Sequence, residues 1–299
     1  HIMKNNILVV GGTGFIGYHL ANKLKKNNLV YSISTKKPSK KRNIKGIKYI
    51  YCDIYKKKIL YKKLDKINFD YIINLGGHID HSNKLKTKNS HYYGCKNLVN
   101  YFKKKKIKLF IQIGSSLEYG KHKSPHHEKI RCNPKAEYGR SKYNSTKYII
   151  KTDKKQSFPF IVLRLYQVYG PNQTIDRLIP IVISSCLKNK KFSCSPGTQI
   201  RDFLYVDDLV KLFELIILSK KKIKGIFNIG SGKPIQVKNV IETIKNKIKK
   251  GKPQYGEIKM RKDESKSNYP NLQKIFKFTS WRPKISLKNG LEKTIKFYS

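Results

Sequence analysis

The stretch ILVVGGTGFIGYHL, residues 7–20, sets an apolar run directly before three glycines in GxxGxxG spacing, Gly11, Gly14 and Gly17. Strand, glycine loop and helix in that order open a dinucleotide-binding α/β fold. Each glycine has its own task there. The first permits a tight turn, the second lets backbone approach a pyrophosphate, and the third lets the helix lie close on the strand, while the helix N-terminus faces the anion. Thr13, Phe15 and Ile16 lie within the same loop and helix start and join the glycines as candidate dinucleotide contacts.

The rest of the first half keeps the same rhythm. VYSIS, IKYIY, YIINL, KLFIQI and FIVLRL are strand-length apolar runs separated by longer amphipathic stretches. Runs with so few polar residues suit strands buried on both faces, and their alternation with helices predicts a Rossmann-like, doubly wound parallel sheet. Beyond Arg164 the pattern is broken by Pro171, Pro180, Pro196, Pro234, Pro253, Pro270 and Pro283. The expected organisation is a dinucleotide-binding Rossmann domain over 3–165 and a smaller C-terminal substrate domain over 166–299. Some segments of the second are expected to return to the first, with a cleft between the two. His1 and Ile2, ahead of Met3, stand outside this reading.

Composition sets further bounds. The chain has 299 residues, 38% of them hydrophobic, enough for a substantial core. Its formal charge of +48 would suit a phosphate-rich partner if the cations were clustered. They are instead spread along the whole chain beside many Asn and Ile, a pattern read as codon bias, so no nucleic-acid partner is expected. The five cysteines, Cys52, Cys95, Cys132, Cys186 and Cys194, form no CxxC pair. They suggest no disulfide framework and no metal site, and fit a reducing cytoplasm. Apolar runs such as ILVV and LIIL are far shorter than the roughly 20 residues that cross a bilayer, so no membrane span is expected.

Cofactor choice is read at the ends of the second and third strands. An NAD-preferring fold usually carries an acid at the end of the second strand to hold the ribose hydroxyls. Here Ser34, Thr35, Lys36 and Lys37 stand there, hydroxyls and positive charge that suit a 2′-phosphate. NADP(H) is therefore favoured, with NAD(H) the alternative, and Thr35 and Lys36 are candidate contacts. Asp53 and Ile54, after the third strand, are candidates at the adenine; Asp53 has the alternative of capping the next helix.

Two later motifs supply reactive groups. GSSLEYG, residues 114–120, ends the fifth strand, and YGRSK, residues 138–142, places Tyr138 and Lys142 four apart, on one helical face. With RLYQVYGP, RDFLYVDDLV, FNIGSG, KMRKDES and SWRPKISLKNGL following in order, the chain resembles the extended short-chain dehydrogenase/reductase family over essentially its whole length. That resemblance implies a catalytic Ser115, Tyr138 and Lys142. Ser115 holds the substrate oxygen, Tyr138 exchanges its proton, and Lys142 binds the nicotinamide ribose and, as an ammonium, favours the phenolate. It also implies a homodimer formed through the two helices that flank the site.

Within the family, dehydratases carry Asp and Glu directly after the hydroxyl residue. This chain has Ser116 and Leu117 there, with Glu118 one position late. Dehydration is not expected. A sugar-nucleotide substrate calls for guanidinium forks on its pyrophosphate, and the family motifs point to Arg201 and Arg261. Gln167, Arg177, Ser116 and His78 complete the candidate substrate contacts, His81 being weighed beside His78. His122, His126 and His127 read as loop histidines, and His91, where many relatives have Asn, has no reading from sequence. The motifs look most like NADPH-dependent reductases of nucleotide-linked 4-keto-6-deoxysugars, of the CDP-abequose and CDP-paratose type. The alternatives are an NDP-sugar 4-epimerase with retained NAD and, remotely, a non-catalytic binding protein on the same fold.

Overall fold

A computed structural model describes residues 3–77 and 82–299. In chain order its elements are β1 (Asn6–Val10), α1 (Phe15–Leu24), β2 (Leu29–Ser34), β3 (Lys48–Tyr51), α2 (Lys57–Leu64), β4 (Tyr71–Asn74), α3 (Lys84–Lys88), α4 (Gly94–Phe102), β5 (Leu109–Ser115), α5 (Glu137–Gln156) and β6 (Phe160–Leu165). There follow β7 (Gln167–Tyr169), α6 (Leu178–Leu187), β8 (Lys191–Cys194), β9 (Ile200–Tyr205), α7 (Val206–Leu218), β10 (Gly225–Ile229), β11 (Pro234–Gln236) and α8 (Val237–Ile248). The last are β12 (Lys252–Tyr255), β13 (Ser267–Asn268), α9 (Gln273–Phe278) and α10 (Leu287–Tyr298).

The expected fold class is found: a seven-stranded sheet in the order β10-β6-β5-β4-β1-β2-β3, with β1 to β6 parallel wherever they pair. The order runs outward from β1 in both directions, as in a doubly wound α/β protein. Each apolar run read from the sequence overlaps one of β1 to β6. Ile7, Leu8 and Val9 are fully buried, as a strand covered on both faces requires.

The chain divides into two compact units that do not follow it linearly. One comprises 1–120, 130–165 and 212–227; the other comprises 121–129, 166–211 and 228–299. The core of the first gathers Leu8, Ile33, Leu98, Phe110 and Val162. That of the second gathers Ile183, Tyr205, Val240, Ile244 and Leu291. In α8 the buried residues are Val237, Val240, Ile241 and Ile244, one stripe at helical spacing.

In the second unit β9 is central, pairing with β7, β11 and β13. Hydrogen bonds tie its sequence motifs together. The Asp202 carboxylate accepts the Ser231 and Gly232 N–H groups at 2.7 and 2.8 Å. Asp208 accepts those of Lys284 and Ile285 at 3.1 and 2.9 Å, and Trp281 Nε1 donates to its carbonyl at 2.9 Å. Among the described residues no helix is long and apolar enough to cross a membrane.

Candidate active site

At the end of β1 the chain turns with Gly11 at φ +84°, where a side chain would be strained and its Cβ would fall 2.3 Å from the Gly76 carbonyl oxygen. A Cβ on Gly17 would meet the Gly11 carbonyl oxygen at the same distance, so α1 can lie on the strand only with glycine there. Gly12, outside the GxxGxxG count, is also tight: its Cβ would sit 2.3 Å from Ser32 Oγ in β2. Gly14 has more room, with only the Gly11 oxygen at 3.4 Å. It is the N-cap of α1, supplies no side-chain cap, and no acid follows in the first turn. The first N–H groups and the positive end of the helix dipole therefore suit a pyrophosphate, and this cradle fits a dinucleotide. Thr13, Phe15 and Ile16 are half-buried around it.

Past β2, the Ser34 hydroxyl donates to the Lys36 carbonyl at 2.8 Å, while the Thr35 and Lys36 side chains are exposed. Asp53 Oδ1 accepts the Tyr55 N–H at 3.0 Å and its carbonyl accepts that of Lys56 at 2.9 Å, closing a turn before α2. Lys56, not Asp53, is the N-cap of that helix. Ile54 is buried, and Asn97 Nδ2 donates to its carbonyl at 2.9 Å.

Ser115 ends β5 in extended geometry, and Tyr138 and Lys142 lie on the first turns of α5. The Lys142 Nζ sits 5.8 Å from the Tyr138 ring centroid and donates to the Ile113 carbonyl at 3.0 Å. Lys142 is 1% exposed, and burial pushes its pKa down to about 8 against the opposing pull of Cys95 and Glu118. This distinguishes it from the many solvated lysines of the chain. Composition hid it; its place four residues after Tyr138, in the company of the neighbouring motifs, pointed to it.

Glu118 supports this corner. Its Oε2 accepts the Ser115 N–H at 2.8 Å; its Oε1 accepts the Thr146 hydroxyl at 2.8 Å and meets Arg164 Nη2 at 3.1 Å. Glu118 and Arg164 are 0% and 2% exposed, and the guanidinium lies over the Tyr119 ring at 4.7 Å. Ser115 Oγ in turn accepts the Leu117 N–H at 3.1 Å. A carboxylate so fully engaged anchors the serine. Ser116 is buried beside it.

The remaining histidines divide. His78 and His81 lie outside the described residues. His126 is fully buried, not a solvated loop residue: Nδ1 is 2.8 Å from the Tyr166 hydroxyl and Nε2 is 2.9 Å from the His122 carbonyl, and burial lowers its pKa. His91 is buried as well, with its ring perpendicular to that of Tyr138 at 5.1 Å between centroids.

In the second unit, Arg201 stands on β9 at 12% exposure, paired with Glu264 at 3.3 Å and donating to its neighbour's carbonyl, Ile200, at 2.8 Å. Its pKa is lowered, first by burial and also by the nearby charge of Arg261, while Glu264 opposes the shift. The two predicted arginines are thus brought together. Arg261 itself is exposed. Gln167 projects from β7, and Arg177 occupies the N-cap position of α6 without a side-chain cap bond; both are exposed. Among the described residues no cluster of His, Cys, Asp and Glu could hold a metal ion.

Comparison with known proteins agrees with this architecture. The family model described as "NAD dependent epimerase/dehydratase family" matches residues 7–230. A putative UDP-glucose 4-epimerase of Methanocaldococcus jannaschii is 30% identical over 97% of this chain and 97% of its own. The dTDP-D-glucose 4,6-dehydratase of Bos taurus is 30% identical over 98% of this chain and 88% of its own. The crystal structure of UDP-glucuronic acid 4-epimerase from Bacillus cereus, in complex with UDP-glucuronic acid and NAD, has a TM-score of 0.88 at 26% identity, covering 98% of both chains. Family model and full-length relatives agree, and the chain belongs to the NAD-dependent epimerase/dehydratase family.

Proposed function

We propose that the protein is a nucleoside-diphosphate-sugar 4-epimerase working through transient oxidation at C4 of the hexose. The observation that carries this is Lys142, buried beside Tyr138 at the end of β5, where Ser115 is pinned by Glu118. In the forward step the Tyr138 phenolate takes the hydroxyl proton while the C4 hydrogen leaves as hydride, so the alcohol becomes a ketone. A bound nicotinamide supplies the hydride acceptor and later the donor. Ser115 holds the oxygen through both steps, and Tyr138 returns the proton once the ketone has turned its other face.

Elimination of water is disfavoured because Ser116 and Leu117 stand where dehydratases carry acid and base, and Glu118 is committed to Ser115, Thr146 and Arg164. Arg201 and Arg261 are assigned to the pyrophosphate of the substrate, with Gln167, Arg177, Ser116 and His78 as further contacts. Residues 166–299 are read as the substrate-binding part. The relatives favour a uridine or thymidine diphosphate sugar and NAD. The proposed enzyme is a cytoplasmic homodimer.

A second reading, a 4-ketoreductase using NADPH, is favoured by one feature: Ser34, Thr35 and Lys36 stand at the end of β2 where an acid would select NAD. Mass analysis of the purified protein separates the two. Retained NAD, with interconversion of UDP-glucose and UDP-galactose and no NADPH consumption, supports the epimerase; net NADPH oxidation on a 4-keto sugar nucleotide overturns it.

A further inference from the structure

His91 is a buried ring without a place in the proposed reaction, and four observations link it to Tyr138. The chain widens to a π-helical turn over Asn89–Tyr93, between α3 and α4, and His91 sits at its middle, 5% exposed. Such turns inside helices recur at functional sites. The His91 carbonyl accepts the Ser145 hydroxyl at 2.5 Å, tying the turn to the helix that carries Tyr138 and Lys142. The imidazole stands at 89° to the Tyr138 ring, 5.1 Å between centroids, the edge-to-face arrangement that aromatic pairs prefer. A Cβ on Gly76, which has φ +83°, would lie 2.8 Å from Nδ1 and Cε1 of His91 and 3.1 Å from Lys142 Nζ, so imidazole and ammonium flank the same bare Cα.

We propose that His91 is a positioning residue that braces the Tyr138 ring so that its hydroxyl stays under the charge of Lys142. This rests on Tyr138 being the proton donor and acceptor. The titratable groups that act on Lys142 beside this pair are Cys95 on α4 and Glu118. The brace works through packing, so any aromatic edge of similar size serves.

The test uses the full chain with His91→Ala and His91→Phe, and Tyr138→Phe as the reference. Tyrosinate absorbance is followed against pH, and the Tyr138→Phe curve is subtracted to isolate Tyr138. In His91→Ala, Tyr138 is expected to ionise at higher pH than in the wild type, as its hydroxyl drifts from the ammonium. With a UDP-hexose, kcat is expected to fall about tenfold to a hundredfold at little-changed KM, the usual cost of a misplaced reacting group. His91→Phe restores both. An unmoved Tyr138 titration in His91→Ala, or a His91→Phe as impaired as His91→Ala, overturns the proposal. The titration needs no substrate, so a chain that turns over no sugar nucleotide would sink the epimerase and leave this inference decided on its own. If His91→Ala does not fold, His91→Gln takes its place in the same comparison.

Discussion

The glycine loop after β1 and the corner at the end of β5 both prepare the carboxyl end of one sheet for charge, by opposite means. The loop is made by leaving side chains out: Gly11, Gly12 and Gly17 each have backbone or a neighbouring hydroxyl where a Cβ would go. The corner is made by burying charged side chains, with Lys142, Glu118 and Arg164 all at 2% exposure or less. Absent side chains leave the N–H groups of α1 open to an anion and cost little desolvation. Buried charges need partners: Glu118 engages Ser115, Thr146 and Arg164, and Lys142 donates to the Ile113 carbonyl. The two parts of this one unit thus depend on different physics.

Substitutions should break the two parts differently. The largest effect is expected from Tyr138→Phe, which removes one oxygen from the corner: kcat for the sugar nucleotide falls about 10²–10⁴-fold, while bound dinucleotide, measured by mass, is kept. Next is Glu118→Ala, which strands the Arg164 guanidinium in the interior. A loss of about 3–5 kcal/mol in unfolding free energy is expected, read from denaturant titration, and replacing Glu118 and Arg164 together by apolar residues of like volume should recover much of it.

The loop should respond more mildly in stability and more selectively in binding. Gly17→Val places atoms against the Gly11 oxygen at 2.3 Å and the Gly12 Cα at 2.6 Å. About 1–3 kcal/mol of stability and the bound dinucleotide should be lost together. Gly14→Ala, with room around it, should keep the melting temperature and still weaken dinucleotide retention. If it leaves retention intact, Gly14 is not where the backbone meets the pyrophosphate.

The smallest effect lies in the second unit. Burial holds the folded-state pKa of His126 below its unfolded value. The unfolded chain therefore binds the proton first as pH falls below about 6.5, and stability declines until the folded-state pKa is passed. Thermal unfolding at pH 7 and pH 5 should show a steeper loss for the wild type than for His126→Gln.

The same contrast governs how much the sequence discloses. A glycine loop after ILVV is visible because absence is rare and spaced, and β1, β4, β5 and β6 are visible because strands covered on both faces cannot carry many polar residues. The strand β10 was not read, since GIFNI is short and contains Asn228, a fully buried side chain that donates to the His126 carbonyl at 2.8 Å. In the corner, Tyr138 and Lys142 were legible by spacing and by the company of neighbouring motifs. The bracing residues were not: Thr146, Arg164 and His91 converge only after the fold brings β6, α5 and the π-helical turn together. Glu118 stands at capping-box spacing from Ser115, but its other partners, Thr146 and Arg164, lie far along the chain.

The interleaved composition of the two units has a consequence for synthesis and dissection. The first unit needs residues 212–227, so a ribosome has to deliver most of the protein before that unit is complete. A fragment ending at 165 would lack α7 residues and β10, and would expose the flank of β6 that β10 covers. The second unit similarly needs 121–129, which leave the exit tunnel long before the rest of it. Neither half can be expressed by a single cut, and a functional split of this protein would have to be made by rejoining segments in a new order.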